Sequence, residues 1–213
     1  MSTEYKYKPK NLSEFIFATD ELEKSVKQYT EGDCLRPLIL HGPHGTGKSL
    51  LSRVIPEAID GPSVEITKIT AEDLNTKKEV RDRFTRSSVF DKLYSPTYQS
   101  RTYTIVEEVN FETKAKGALR VAMDEMAGRD QLIFTTNELD KMDSGLRSRA
   151  EQIFVPPVPP EHFFNRAKWI LTQEGVELED SVLMNVLDAV HEKTTDIREY
   201  YKALDKIIYR TKN

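Results

Sequence analysis

Apolar residues follow two rhythms along this chain, and the change between them divides it. Up to about residue 155, short apolar runs predict strands. These are Leu38-Ile39-Leu40, the alternating stretch from Val64 to Ile69, Thr102-Tyr103-Thr104-Ile105-Val106, Leu132-Ile133-Phe134 and Gln152-Ile153-Phe154-Val155. Runs of this length suit strands buried in a sheet. Between them, apolar residues return at helical spacing. Leu50, Leu51, Val54, Ile55, Ala58 and Ile59 follow the first strand, and Leu119, Ala122, Met123 and Met126 mark a helix from about Thr113 to Met126. Such spacing lines one face of a helix. Pro56 falls inside the first of these patterns and is expected to kink that helix or end it early. Asp20 to Tyr29 reads as a polar helix leaving through Glu31-Gly32-Asp33, and Asp60-Gly61-Pro62 reads as a turn.

The second rhythm follows Val155-Pro156-Pro157-Val158-Pro159-Pro160, whose prolines cannot continue a helix or a ladder and predict a stiff linker. Beyond it, one helix is marked by Phe163, Phe164, Ala167, Ile170 and Leu171, and a second by Val182, Val186, Leu187 and Val190. Ile197, Tyr200, Tyr201, Leu204, Ile207 and Ile208 mark a third. Each is amphipathic, as a small bundle requires. The expected division is an α/β domain over residues 1–155, a linker over 156–160 and a helical domain over 161–213.

One stretch carries chemistry by itself. Gly42-Pro43-His44-Gly45-Thr46-Gly47-Lys48-Ser49 fits G-x-x-x-x-G-K-[ST], the phosphate-binding loop of nucleoside triphosphatases. Glycines let the backbone turn tightly, so that successive N–H groups can face phosphate oxygens. Lys48 is expected to reach the β- and γ-phosphates, and the Ser49 hydroxyl to hold Mg²⁺. A strand before the loop and a helix after it supply the context that a chance match lacks. The domain over 1–155 is therefore read as nucleotide-binding.

Other candidates gain meaning from that loop. The strand Thr102–Val106 runs into Glu107 and Glu108, and acids at the carboxyl edge of such a sheet suit Mg²⁺ and the activation of water. The strand after Leu132 ends in Asn137, which either caps the next turn or hydrogen-bonds the attacking water or the γ-phosphate. Lys77-Lys78-Glu79-Val80-Arg81-Asp82-Arg83-Phe84-Thr85-Arg86 gathers positive charge on a predicted helix, as a solvated face or as a contact to nucleic-acid phosphates. Leu93 to Tyr98 reads as a loop, and Arg147 and Arg149 precede the last strand.

Composition narrows the picture without redirecting it. The chain of 213 residues has a formal net charge of −4, so no global field attracts nucleic acid and any such contact must be local. No apolar run approaches membrane-spanning length and the N-terminus lacks a signal-peptide pattern. The single cysteine, Cys34, cannot form an internal disulfide and reads as a packing residue. These features fit a cytoplasmic protein. His41, His44, His162 and His191 show no metal-ligand spacing, which leaves Mg²⁺ carried by a nucleotide as the expected metal.

The motifs in their order resemble the AAA+ ATPases, and among them the small ATPase subunits of sliding-clamp loaders of the replication factor C type, without the collar domain. The resemblance runs from about Tyr7 to Tyr209. Tyr7-Lys8-Pro9, followed by Leu12 and Glu14, looks like the family's Tyr-Arg-Pro adenine-side arm. Gly42 to Ser49 is its Walker A loop, Val80-Arg81 its Val-Arg pair on a helix that follows DNA, and Ile105 to Glu108 its Walker B strand. Ala115-Lys116-Gly117-Ala118-Leu119-Arg120 is similar to its Ala-Gln-Asn-Ala-Leu-Arg helix. Thr136-Asn137 is similar to sensor 1, Leu146-Arg147-Ser148-Arg149 to its Ser-Arg-Cys segment, and Asp196-Ile197-Arg198 to the Gly-Asp-x-Arg of sensor 2.

The resemblance implies a P-loop αβα sandwich with a parallel five-stranded sheet and a helical lid, binding ATP and Mg²⁺. It implies Glu108 as general base, Asn137 as sensor, Arg149 as an arginine finger acting in a neighbouring subunit, and Arg198 as a lid residue reading the γ-phosphate. Tyr7 and Pro9 would flank the adenine, and Ser49 and Glu107 would hold the metal, Glu107 through water. Lys78, Arg81 and Arg83 would follow double-stranded or primed DNA. The partners implied are further subunits, like or unlike, and a sliding clamp. The sequence departs from the pattern at Glu107, where the family has Asp, at Ala150, Thr195, Lys8 and Phe17, and in ending at Asn213 without a collar. Those departures keep a second reading open, an ATP-dependent assembly switch or adaptor subunit with little hydrolysis. A small-molecule P-loop kinase is disfavoured by the helical module and by Arg147 and Arg149.

Overall fold

A computed structural model of the chain describes residues 1–32, 36–70, 76, 78–80, 101–107, 116–126 and 130–212. The elements, in chain order, are α1 (Thr3–Lys6), α2 (Asp20–Glu31), β1 (Leu38–His41), α3 (Lys48–Asp60), β2 (Ile66–Thr70), β3 (Thr102–Glu107) and α4 (Lys116–Met126). They continue as β4 (Asp130–Thr136), α5 (Ser144–Arg147), β5 (Glu151–Phe154), α6 (Pro160–Gln173), α7 (Asp180–His191) and α8 (Ile197–Lys212). Cys34, the loop expected at Leu93 to Tyr98, Arg81, Arg83 and Glu108 lie outside the described residues.

All the strands run parallel in one five-stranded sheet of order β2-β3-β4-β1-β5. Parallel strands need helical crossovers that cover the faces, which is why β1 is apolar without interruption. Leu38, Ile39 and Leu40 are fully buried, with Leu38 in register with Ile133 and Ile39 with Phe134. Ile39, Val106 and Phe134 share a cluster with Leu119, Ala122 and Met123 of α4 and Leu146 of α5. α3 packs against β1, β3 and β4, with Leu51 and Ile55 fully buried. At the amino ends of the strands, Gln131 donates to the Tyr29 hydroxyl and to the Arg36 carbonyl, and burial pushes the Tyr29 hydroxyl pKa well up.

α3 continues through Pro56 to Asp60, so the proline does not end the helix early. Proline removes one backbone hydrogen bond from a helix interior. Here the cost is offset by the buried face that Leu51, Val54, Ile55 and Pro56 present together. The Val155–Pro160 run is packed into its surroundings. Val155 and Val158 are buried, the Tyr200 hydroxyl donates to the Val158 carbonyl at 3.1 Å, and Pro160 opens α6. A first-turn proline suits a helix because its missing N–H would have had no helical partner there.

Contacts group the chain into two compact units, residues 1–23, 43–47 and 155–213 in one, and 24–42 and 48–154 in the other. The first is built on Phe163, fully buried, with its ring stacked on Tyr200 at 4.8 Å and edge-on to Tyr201 at 5.1 Å. The N-terminal arm is fastened to the same helices. Ser2 Oγ and the Thr3 N–H donate to Asp205 at 2.8 and 2.9 Å. Lys6 Nζ and the Tyr7 hydroxyl both donate to Glu174 Oε1, at 2.6 and 2.8 Å, and Lys212 Nζ reaches the other oxygen at 3.0 Å.

Lys6, then Tyr7 and Lys212, hold the Glu174 carboxyl well below its ordinary 4.5, at about 2. A depressed carboxyl pKa adds stability above the ordinary value and loses it as pH falls toward the folded one. The arm should therefore loosen between about pH 4.5 and 2. Trp169, the chain's only tryptophan, meets the Tyr7 ring edge-on at 5.2 Å, so its fluorescence reports the arm. Glu174→Gln is expected to show the loosened signal already at neutral pH.

Candidate functional site

β1 ends at His41, and the phosphate-loop motif follows at the carboxyl edge of the sheet. Gly42, Gly45 and Gly47 adopt φ of 145°, 70° and 90°. That region favours glycine, and it allows the loop to curl on itself. The Thr46 hydroxyl donates to the Pro43 carbonyl at 3.2 Å. Lys48, first residue of α3, is buried, and its Nζ donates to the Gly42 carbonyl at 2.9 Å. The ammonium is thus folded back over the start of the loop. Ser49 is exposed in the first turn of α3, while Pro43 and His44 are exposed on the loop. Burial, reinforced by Lys48 and opposed by Asp140, keeps the pKa of half-buried His41 below its usual value.

In the unit that contains residues 43–47, the loop is seated against the start of α8. The Ile197 N–H donates to the Gly45 carbonyl at 3.0 Å. A Cβ on Gly45 would fall 2.1 Å from Asp196 Cγ and 2.7 Å from Asp196 Cα. One on Gly47 would meet the Phe15 ring at 3.3 Å. Asp196 also grips Arg198: Nε donates to Oδ1 at 2.9 Å and Nη2 to Oδ2 at 2.6 Å, while the Arg198 N–H donates to Oδ1 at 2.9 Å. Burial works to raise the Asp196 pKa, but the Arg198 side chain and backbone together hold it below its ordinary value. Pro9 is buried in this unit. Tyr7 is held by Glu174 through its hydroxyl, by Arg166 Nη2 at its carbonyl (2.6 Å) and by Trp169 at its ring.

The other unit carries the remaining candidates. Glu107 closes β3, and its Oε1 accepts from Lys68 Nζ of β2 at 2.8 Å. Asn137 follows β4 and is half-buried. Arg149, after α5, donates through Nε to Asp124 of α4 at 2.8 Å and through Nη1 to the Gly145 carbonyl at 2.9 Å. Asp124 raises the Arg149 pKa, and Arg149 lowers that of Asp124. Nearby, Arg120 is bidentate to Asp143, which caps α5 through the Gly145 and Leu146 N–H groups. Lys78 is exposed.

Sequence reasoning did not find Lys68 or Asp124. Asp124 follows Met123 among the apolar positions of α4, and nothing in the spacing says that Arg149 will meet it. Lys68 lies in an alternating strand, and only the register of β2 on β3 brings it near Glu107.

The donor set fits a nucleotide that brings its own metal. Among the described residues, no group of three or more His, Cys, Asp or Glu side chains could cage an ion. The Ser49 hydroxyl and the Glu107 carboxylate are hard oxygen donors of the kind Mg²⁺ takes in small number beside phosphates. No described helix is long and apolar enough to cross a membrane.

The model of the ATPase family associated with various cellular activities (AAA) matches residues 38–158, more than half of the chain. The chain belongs to the AAA family. Replication factor C small subunit 2 of Pyrobaculum arsenaticum is 25% identical to this AAA chain over 205 residues, 93% of it and 61% of the relative. Replication factor C subunit 2 of Saccharomyces cerevisiae is 27% identical over 194 residues, 86% of this chain and 55% of the yeast protein. The chain therefore spans about three-fifths of these relatives' length. Among solved structures, the RuvB Holliday junction branch migration motor of Thermotoga maritima superposes with a TM-score of 0.70 over 97% of this chain and 65% of its own, at 19% identity. That likeness establishes the AAA fold, with its parallel five-stranded sheet and helical C-terminal region.

The contact between Gly45 and Asp196 gives a direct test. Gly45→Ala should abolish tight binding of a fluorescent ATP analogue. It should also cost about 1–3 kcal/mol more in denaturant unfolding than Gly61→Ala. Gly61 shares the positive φ but meets nothing within 4 Å, so the difference isolates the clash at Asp196.

Proposed function

We propose that the protein binds and hydrolyses ATP as an oligomeric AAA+ ATPase of the clamp-loader type, working with DNA, a protein partner or both in DNA replication, repair or mobile-element biology. The observation that carries the reading is the glycine-built loop that ends in buried Lys48, in a chain similar to replication factor C small subunits over nearly its whole length. ATP would lie with its phosphates on the N–H groups of residues 44–49, and Mg²⁺ would be held by Ser49 and, through water, Glu107. The metal supplies neutralisation of the charge developing on the phosphates. Lys48 would leave the Gly42 carbonyl for the phosphates, and Arg198 would exchange Asp196 for the γ-phosphate.

Glu108 would take the proton of the attacking water, oriented by Asn137, while Tyr7 and Pro9 flank the adenine. Arg149 would enter the site of a neighbouring subunit, leaving Asp124 and the Gly145 carbonyl that hold it in this structure. Lys78, Arg81 and Arg83 would contact DNA phosphates, and a sliding clamp is the protein partner that fits the clamp-loader reading. A specific observation favours the second reading, an assembly switch with little hydrolysis: Glu107 is already engaged by Lys68.

The test is ATP turnover measured against protein concentration, with and without primed DNA. Turnover per subunit should rise with concentration and rise again with DNA. Glu108→Gln should keep ATP binding and lose turnover. Arg149→Ala should lower turnover by about 10³-fold or more, and mixing it with Lys48→Ala protein should restore part of the activity. Flat, negligible turnover with nucleotide bound would select the switch. Lysine and arginine contacts to phosphate also set a salt slope, so removing Lys78, Arg81 and Arg83 together should lower it by about three.

A further inference from the structure

Lys68 is absent from every motif, yet its ammonium lies against the carboxylate expected to serve the metal. The register of β2 on β3 pairs Lys68 with Ile105 and Thr70 with Glu107. Lys68 and Glu107 are therefore diagonal neighbours on one face of the sheet, about 7–8 Å apart at the backbone. Their long side chains close that gap to 2.8 Å. An aspartate at 107 would be one methylene shorter and would hold Lys68 less closely.

Direction matters as much as distance. β3 lies between β2 and β4, and β1 lies beyond β4. Lys68 thus draws the carboxylate toward the free edge of the sheet, away from the strand that leads into the phosphate loop. A lysine on an edge strand commonly guards against pairing with another chain, and such a guard projects into solvent. This one is turned across the sheet face onto Glu107.

We propose that Lys68 is a positioning residue that competes with Mg²⁺ for Glu107, so that nucleotide binding in this protein needs more free metal than the carboxylate alone would require. The inference rests on the proposed nucleotide site. The ammonium occupies Oε1 and offsets the carboxylate's charge, so a hydrated Mg²⁺ engages Glu107 more weakly while Lys68 stays in place, and the part-exposed pair sets a modest threshold. Exposed pairs of this kind shift an equilibrium by about two- to fivefold.

The experiment titrates Mg²⁺ against binding of a fluorescent ATP analogue, in wild type, Lys68→Met, Lys68→Arg and Glu107→Asp. Lys68→Met should move the Mg²⁺ midpoint down by about two- to fivefold, with metal-free affinity unchanged. Lys68→Arg, which keeps the pair, should stay at the wild-type midpoint. Glu107→Asp should move the midpoint down, and adding it to Lys68→Met should give no further shift. An unchanged midpoint in Lys68→Met, or an equal shift in Lys68→Arg, overturns the proposal while leaving the nucleotide site intact. A wild-type protein that binds no nucleotide at any Mg²⁺ concentration overturns the site and this inference together.

Discussion

There is no room for a side chain at position 45, and much of the candidate site follows from that. The loop can present its backbone to phosphates only if Gly45 takes a left-handed conformation, and the same conformation turns its carbonyl to accept the Ile197 N–H. A Cβ there would lie inside Asp196. The loop that would read phosphate and the helix that carries Arg198 are therefore joined by a backbone hydrogen bond.

Among the described residues, four of the charged groups proposed for the chemistry are engaged within the protein. Lys48 rests on the Gly42 carbonyl, Arg198 on Asp196, Arg149 on Asp124 and Glu107 on Lys68. On the proposed reading, a nucleotide with its metal would exchange partners at Lys48, Arg198 and Glu107 rather than fill open valences. Three of the four pairings involve exposed or half-exposed side chains, where ion pairs are weak, so the exchange is inexpensive. Lys48 is the exception, since it is buried. Its ammonium donates to the neutral Gly42 carbonyl.

Much of the fold was legible along the chain because parallel strands buried on both faces must be apolar throughout, and bundle helices must be apolar on one face. Leu38-Ile39-Leu40, Ile105-Val106 and Leu132-Ile133-Phe134 are found in the sheet centre, and Phe163, Leu187 and Leu204 in the helical core. That α3 runs on past Pro56 was not legible, because local propensity counts the hydrogen bond that proline removes and cannot count the apolar face buried around it. Along the chain, the arm was legible only by its resemblance to an adenine-side arm. What it meets, Asp205, Glu174 and Trp169, lies more than 150 residues away along the chain.

The order of residues was enough to place the phosphate loop after a buried strand, with Lys48 and Ser49 opening a helix. That motif depends only on neighbours in sequence and on which backbone angles glycine tolerates. Which group answers which charge was beyond its reach. Lys68 meets Glu107 because of a strand register, Asp124 meets Arg149 because α4 and α5 pack together, and Asp196 meets Gly45 because α8 begins beside the loop. Each pairing joins residues distant along the chain. Charge complementarity allows many such partners, and only the packed backbone selects among them.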